Sequence, residues 1–453
     1  YLSFHLRFSF LKMKENLKIN WLDRLEKDLP RHERGKANWK DIYHLIIFPM
    51  YRESYELARE SFLALLESNY PKEKFLVVLA TEERGGEDDK KTAEKIKVEF
   101  GSFFGGFFTT SHPSGLPHEM PGKGSNESWA ARESQKFLID AKKIPYKNVL
   151  VSVFDIDTRA GENYFGILTY SFLTSERGDR SSYQPIPLFT NNIHKVPMFA
   201  RLTAFSSTFW QFMQQARAER LVTFSSHSMP FQALTEIGFW EKDLVSEDSR
   251  IFFQLLNRNN GDWRVLPLFY PICMDAVQGP SFWQALRNLY FQQRRWAWGV
   301  ENIPRFINDA IKIKSFPIRK KIFRFLTSFG GYYSWASNSF MIFLFGWLPI
   351  ILGGYDFRNT LISYNLPKMT GFLGNLAMIG VLVSAFVSVS FLAPRLKGFK
   401  HRHYLFYFLE WLLLPIVVIF FSSLPALEAQ TRMMLGGKMR LGFWKTPKTA
   451  VVK

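Results

Sequence analysis

Cysteine is almost missing from this chain. Cys273 is the single one in 453 residues, which excludes an intrachain disulfide framework and any cysteine-rich zinc site. It sits in the apolar run FYPICM and reads as a small core residue. Acid is scarce as well: 40 Asp and Glu face 58 Lys and Arg, a formal charge of +18 with a pI of about 9.7. So basic a chain points to an anionic partner, whether nucleic acid, anionic lipid or a phosphorylated substrate. No nucleic-acid-binding motif accompanies the charge. The basic residues gather beside long apolar runs, where anionic lipid accounts for them. No secretory signal peptide is visible. The chain opens on Tyr1 rather than Met, so its true start and upstream segments are expected to be missing.

Aromatics, by contrast, reach 17%, with 46 Phe and 13 Trp. By length the chain is worth about three domains. Residues 1 to about 310 read as mixed α/β. HLIIFPM (44–50), FLVVLA (75–80), FFTT (107–110) and NVLVSVF (148–154) are expected strands. Helices are expected over 54–69, where Ala58, Phe62, Leu65 and Leu66 share one face, over about 87–99, and near 125–140. Strands alternating with helices predict βαβ units and a mostly parallel sheet, with ligands bound beyond the carboxyl ends of its strands.

After Pro317 the character changes, and three apolar stretches follow. The stretches 333–354, 371–393 and 404–426 are each near the ~20 residues that cross a bilayer, and the second contains no charged residue. The bland alternative is buried core helices. Trp335, Tyr404 and Trp411 suit interfacial belts, whereas Glu410 must face protein or water. Lys312, Lys314, Arg319, Lys320, Lys321 and Arg324 precede the first stretch without an intervening acid. Arg395, Lys397, Lys400 and Arg402 lie between the second and third. The positive-inside rule makes both regions, and hence the α/β domain, cytoplasmic in a multi-pass protein of the cell membrane. Three full crossings would put the tail outside, although it carries Arg432, Lys438, Arg440, Lys445, Lys448 and Lys453 against Glu428. Either one stretch is re-entrant or the tail breaks the rule.

SVFDIDTRAG (152–161) ends an apolar run with Asp155 and Asp157. Aspartates there serve either an Asx-turn or a Mg²⁺ or Mn²⁺ ion, which takes hard carboxylate oxygens and leaves room for substrate phosphates. Their place at a strand's carboxyl end favours the metal. Four other stretches share this chemistry. PMYRES (49–54) follows the first strand. GKGSN (122–126) sets Lys123 between glycines, either a plain turn or a loop whose amides and ammonium meet an anion. VSEDSR (245–250) puts Glu247 and Asp248 at a helix start, where acids act as caps or as catalysts. QQRRWAWG (292–299) joins cations to aromatics and reads otherwise as a membrane-adjacent helix with snorkelling arginines.

In order, the chain runs P-x-Y-x-E, GK-x-x-N, D-x-D, E-D, Q-x-x-R-W and then apolar stretches. Over roughly residues 44–426 this series resembles the family 2 glycosyltransferases, in particular the membrane-embedded processive branch of cellulose, hyaluronan and chitin synthases. The resemblance implies a GT-A fold, a Rossmann-like and mostly parallel sheet over 41–310. It follows an interfacial or linker segment at 1–40 and precedes a basic interfacial segment at 311–332, three spans within 333–426 and a basic amphipathic tail at 427–453. It places Pro49, Tyr51 and Glu53 in a nucleotide pocket, Lys123 on the diphosphate, Asp155 near the nucleotide and Asp157 on Mg²⁺ or Mn²⁺. Asp248 becomes the general base, Gln292 and Arg295 hold the pyrophosphate, and Trp296 stacks on the acceptor sugar. The family's aspartate after the second strand is replaced by LATEERGG, so Glu82 or Glu83 must stand in and UDP is only the default nucleotide. The tail GFWKTPK (442–448) resembles the gating loop F-x-V-T-x-K of those synthases at Phe443, Thr446 and Lys448, with Lys445 replacing the valine.

These residue types suit an inverting transfer. A metal and cations stabilise a departing nucleoside diphosphate, and one carboxylate takes the acceptor's proton. The sequence therefore predicts a metal-dependent glycosyltransferase that moves a sugar from a nucleotide-sugar donor to a growing polysaccharide at the membrane. The alternatives are single transfer to a lipid-linked acceptor, or a transporter or scaffold that retains a glycosyltransferase-like domain. Three spans are few for a pore, so missing N-terminal spans or a partner subunit would complete one.

Overall fold

The computed structural model describes residues 2–29, 38–392, 401–442 and 444–447. Arg395, Lys397, Lys400, Phe443, Lys448 and Lys453 lie outside the described residues. The four expected strands form as β1 (Tyr43–Pro49), β2 (Phe75–Glu82), β3 (Gly106–His112) and β4 (Val149–Val153). They are joined by β5 (Arg159–Ala160), β6 (Ser181–Leu188), β7 (Ser228–Pro230) and β8 (Arg264–Cys273). All eight make one sheet in the order β3-β2-β1-β4-β7-β6-β8-β5. The first four are parallel neighbours, with Ile47 opposite both Val78 and Val153. Beyond β4 the sheet becomes mixed: β7 runs antiparallel to β4 and β6, and β6 runs parallel to β8.

A strand buried on both faces favours apolar side chains at nearly every position, which is why β1 and β2 read as near-continuous apolar runs, with His44 the exception in β1 and Thr81 and Glu82 at the end of β2. Ile46, Phe48, Val77, Leu79 and Leu150 face one layer, with residues of helices Tyr55–Glu67, Glu87–Phe100 and Tyr164–Thr174. Leu45, Ile47, Leu76, Val78, Val151 and Val153 face the other, with helices Lys123–Ser134, Glu247–Arg258 and Asn302–Lys312. From β1 the chain builds outward through β2 and β3 and then returns to add β4 on β1's other side. The carboxyl ends of β1 and β4 therefore flank a crevice at the switch in strand order.

A third apolar cluster joins Leu6, Phe10 and Met13 of helix Leu2–Asn16 to Phe205, Phe209 and Phe212 of helix Met198–Gln215, and to Ala385, Trp411 and Val417. Among the described residues, two helical runs are long and apolar enough to cross a membrane, Leu361–Ser390 and Arg402–Leu435. The expected span at 333–354 is divided between helix Ile318–Phe345, helix Leu348–Leu352 and the first residue of Gly354–Arg358. Along the first run Leu361, Phe372 and Ile379 are 77%, 64% and 60% exposed.

The second run holds two acids against the α/β domain. Glu410 meets Arg201 Nε at 2.9 Å and Nη2 at 3.3 Å, and Arg201 also donates to the Ile193 carbonyl at 2.8 Å and lies 4.0 Å from the Tyr407 ring centroid. Glu428 accepts from Arg294 Nη1 at 2.6 Å and from the Tyr290 hydroxyl at 2.7 Å. The acid in an apolar stretch thus faces protein. Removing one partner of a buried pair leaves an uncompensated charge, at about 3–5 kcal/mol, whereas replacing both is often neutral. Arg201→Met is expected to lower the thermal midpoint of the detergent-purified protein markedly, and Arg201→Met with Glu410→Leu to recover most of it. Equal midpoints for the single variant and the parent would show that the pair holds nothing in place.

Candidate active site

The crevice is organised by Lys123, the first residue of helix Lys123–Ser134. Asn126 fixes this helix to β2 by donating from Nδ2 to the Ala80 carbonyl at 2.7 Å. Gly124 lets it approach its neighbour: a Cβ there would stand 2.9 Å from Glu247 Cβ and 3.3 Å from the Glu241 carbonyl oxygen. Lys123 thus enters a nest of carboxylates from three elements. Its ammonium lies 2.9 Å from Asp155 Oδ1 and 2.9 Å from both oxygens of Asp248, with Glu127 at 3.4 Å and Glu247 at 3.7 Å. Asp155 comes from the loop after β4, Glu127 from one turn along the lysine's own helix, and Glu247 and Asp248 from the start of the facing helix.

Burial sets the protonation. Alone it would push the Lys123 ammonium down, but the neighbouring acids, Asp155 and Asp248 first, outweigh it and hold the pKa well above the usual lysine value. Burial raises the Glu127 carboxyl well above the carboxylate range. Glu247 is pushed up to about 8, first by burial and then by the charge of Asp248. At neutral pH Glu247 therefore keeps its proton, while Asp248 carries the ion pair with Lys123. Ser246, not Asp248, is the N-cap of helix Glu247–Arg258, and it makes no side-chain cap bond. His227 stands behind this pair, buried, with Nδ1 3.9 Å from Asp248 Oδ1 and 2.8 Å from the Phe224 carbonyl. Burial lowers its pKa, so it is neutral.

Asp157 lies deeper. It is 2% exposed, its Oδ2 accepts from the Asp275 amide at 3.1 Å, and its carbonyl accepts from Asn191 Nδ2 at 3.0 Å. Asp155 Oδ2 accepts from the Ser225 hydroxyl at 2.7 Å. Asp275, Gln292, Trp296 and Phe189 line a small crevice next to it, with the Trp296 and Phe189 rings 6.1 Å apart. Arg295 is near enough for its charge to act on Glu247. Hard oxygen donors therefore surround the crevice, as Mg²⁺ or Mn²⁺ requires. Among the described residues, three acids with ligand atoms within 4.8 Å of one another are Glu127, Glu247 and Asp248, a group that does not include Asp157. Neither carboxyl oxygen of buried Glu127 has a hydrogen-bond partner, and Lys123 at 3.4 Å is the cation it faces.

The other flank begins where β1 ends at Pro49. The Tyr51 amide donates to Glu53 Oε2 at 2.6 Å, and the Arg84 guanidinium lies 4.1 Å from the Tyr51 ring centroid. Arg84 also donates to Glu82 Oε1 at 3.0 Å, while Glu83 accepts from the Ser114 amide and hydroxyl at 2.8 and 2.7 Å. Of the two stand-ins for the family's aspartate, Glu82 is the one held beside Tyr51. The tail comes back to this flank. Lys445 reaches Glu53 Oε1 at 2.7 Å and donates to the Tyr51 carbonyl, and Trp444 packs edge-on against Phe291 at 5.4 Å.

The fold thus brings Lys123, Asp155 and Asp248 into direct contact. It gathers Tyr51, Glu53 and Glu82 through Arg84 and Lys445, and it sets Asp157, Gln292 and Trp296 around Asp275. Sequence reasoning missed Glu127, although its place four residues after Lys123 puts both on one helical face. It also missed His227 and Arg84, which no local pattern marks.

A mostly parallel sheet with an acid-lined crevice at its switch point is the arrangement of GT-A transferases. The family described as glycosyl transferase family group 2 matches residues 150–426. That is more than half of the chain, and the protein belongs to this family and is a glycosyltransferase. Comparison with curated proteins finds no match. Among solved structures, the mannosyltransferase PcManGT from Pyrobaculum calidifontis, in complex with GDP-Man and Mn²⁺, is similar at TM-score 0.44 and 10% identity, covering 92% of this chain and 99% of that one. S. aureus TarS 1–349 is similar at 0.42 and 12%, covering 66% and 74%. Its complex with UDP-GlcNAc is similar at 0.40 and 14%, covering 67% and 76%.

The raised pKa of Glu247 predicts a pH dependence. The folded state holds this proton more tightly than the unfolded chain, so the contribution to stability is full below the unfolded value near 4.5 and is lost as pH rises through about 8. Glu247→Gln removes the titration. The thermal midpoint of the parent relative to this variant is expected to fall steadily between pH 5 and pH 9. Parallel curves would show that Glu247 is not a buried neutral acid.

Proposed function

We propose that the protein transfers a sugar from a nucleotide-sugar donor to the hydroxyl of a growing polysaccharide by single displacement with inversion, with Asp248 as the general base. The observation that carries this reading is the bridge of Lys123 to Asp155 and Asp248, at the crevice where the carboxyl ends of β1 and β4 part. Lys123 bonds both the carboxylate of the donor side and the carboxylate of the acceptor side. A diphosphate entering the crevice competes with Asp248 for that ammonium, and its arrival frees Asp248 to accept a proton.

Pro49, Tyr51, Glu53 and Glu82 line the nucleotide side, and Gln292 and Arg295 face the departing diphosphate. Asp157 would hold Mg²⁺ or Mn²⁺, which would supply Lewis-acid stabilisation of the leaving group, with Asp155 toward the nucleotide. Trp296, paired with Phe189 beside Gln292, offers the aromatic face on which an acceptor sugar stacks. That face favours a polymer acceptor over transfer to a lipid-linked one.

The membrane reading follows from charge and contact. The run Leu361–Ser390 is long and apolar enough to cross lipid, and the part of helix Ile318–Phe345 beyond its basic first turns, with Ile342 exposed, suits the other arm of an out-and-back hairpin with basic residues 312–324 and Arg402 at its two ends. The run Arg402–Leu435 is bonded to helix Met198–Gln215 through Glu410 and to helix Phe282–Ala297 through Glu428. A helix tied near both ends to one domain lies along it, the re-entrant option. The tail then returns on the domain's side, where Lys445 meets Glu53, and its basic residues no longer conflict with a cytoplasmic catalytic domain. Sealed right-side-out cells are expected to shield a cysteine introduced at Lys136 from an impermeant maleimide. Labelling of that cysteine from outside overturns the orientation.

Asp248→Asn keeps shape but cannot take the proton. It is expected to lower the transfer rate roughly 10²–10⁴-fold with donor affinity by calorimetry near normal. Asp157→Ala is expected to remove the metal dependence of donor binding. An active Asp248→Asn protein, or one that binds no donor, refutes the base assignment. Sizing the product made by reconstituted protein from a panel of labelled nucleotide sugars separates polymer synthesis from single transfer.

A further inference from the structure

Glu301 has no part in the mechanism above, yet its buried carboxylate makes four hydrogen bonds beside the site. It is 6% exposed. Its Oε1 accepts from the Val245 amide at 3.0 Å, the Ser246 amide at 3.1 Å and the Ser246 hydroxyl at 2.8 Å. Its Oε2 accepts from Trp298 Nε1 at 3.1 Å. Ser246 caps the helix that starts with Glu247 and Asp248, and its hydroxyl is turned away from that helix's amides toward Glu301. Asn302 reinforces the joint by donating to the hydroxyls of Ser246 and Ser249 at 3.1 and 2.9 Å.

Sequence position gives the joint its meaning. Glu301 ends the short 3-10 helix Trp298–Glu301, which continues directly from helix Phe282–Ala297. That helix carries Gln292, Arg295 and Trp296. The carboxylate therefore ties the element on the acceptor and diphosphate side to the loop two residues ahead of Asp248. Charge-assisted bonds from backbone amides are short and directional, and a carboxylate at a helix N-terminus is favoured by the helix dipole. Hydrogen bonds to two consecutive amides fix the path of the chain as well as its distance.

We propose that Glu301 is a positioning residue of the transfer reaction: it sets Asp248 in register with Trp296, so that base and acceptor hydroxyl meet at reacting distance. This rests on Asp248 being the base. Glu301 touches no reacting atom in this account and acts only through Ser246 and the helix it caps. Misplacement of a reacting group by about 1 Å can cost on the order of 10²-fold in rate.

Glu301→Gln preserves volume but cannot accept at both ends as the carboxylate does. The expected result is a kcat lowered about 10–100-fold, with donor KM within about two-fold and a thermal midpoint close to the parent's. In an Asp248→Asn background the same change is expected to lower the rate no further, because a positioned base that cannot accept a proton has nothing left to lose. An unchanged kcat overturns the proposal, and so does an equal, additive loss in both backgrounds, which marks a general structural role. If Glu301→Gln does not fold, Ser246→Ala removes one bond to the same carboxylate and carries the same test, with a smaller kcat loss at constant KM expected and no loss overturning the proposal. Full activity of Asp248→Asn alone defeats the base assignment instead, and that result is read before any change at Glu301 is made.

Discussion

A single ammonium among four carboxylates is the interaction on which the site depends. Two charges brought out of water lose several kcal/mol of solvation each, and only close mutual contact returns it. Lys123 is in a harsher position, since Glu127, Asp155, Glu247 and Asp248 all crowd one cation. The site copes by keeping two of the acids neutral and pairing the other two. The close packing that makes this possible is itself demanding: the helix bearing Lys123 approaches the helix bearing Glu247 only because residue 124 has no side chain. Fold and electrostatics are therefore the same constraint seen at two scales. The sheet order opens the crevice, and the carboxylates that line it need a cation there whether or not substrate is present.

The parallel half of the sheet was plain in the sequence. HLIIFPM, FLVVLA and NVLVSVF are near-continuous apolar runs, interrupted at His44, Asn148 and Ser152, because both faces are covered, and their ends fall within a residue or two of β1, β2 and β4. The far half was not. β7 is three residues long and β5 two, shorter than any periodicity, and β8 carries Pro267 and Pro271 within the strand. Those strands exist because tertiary packing holds them. The site divides in the same way. Asp155, Asp248 and Lys123 announced themselves by charge at element ends, and the resemblance to family 2 enzymes supplied their grouping. Glu127 was legible only once its helix was placed, and His227, Arg84 and Glu301 act through partners distant in sequence, Asp248, Tyr51 and Val245.

The apolar C-terminal half shows the limit of composition. Three apolar stretches of similar length look alike as strings, but the acid in the third changes its meaning. Glu410 finds Arg201, Trp411 bonds Ser388, and Glu428 finds Arg294, so one face of this run is a protein interface while the other stays apolar. The first run, Leu361–Ser390, makes few such bonds and shows most of its surface. Partners, not hydropathy, separate a helix that lies on a domain from one that leaves it.

The same anchoring bears on how the enzyme can be handled. The cluster formed by helix Met198–Gln215 with Trp411 and Val417 is continuous with the N-terminal helix and with strand β6 through Ile186. Cutting the chain after residue 317 would strip one wall from this cluster, expose Phe205 and Phe209, and strand the Arg201 guanidinium inside it. The catalytic half is therefore not a detachable soluble enzyme with a membrane anchor appended. Its solubility boundary runs through its own core, and a water-soluble version requires redesign of that buried surface rather than a shorter chain.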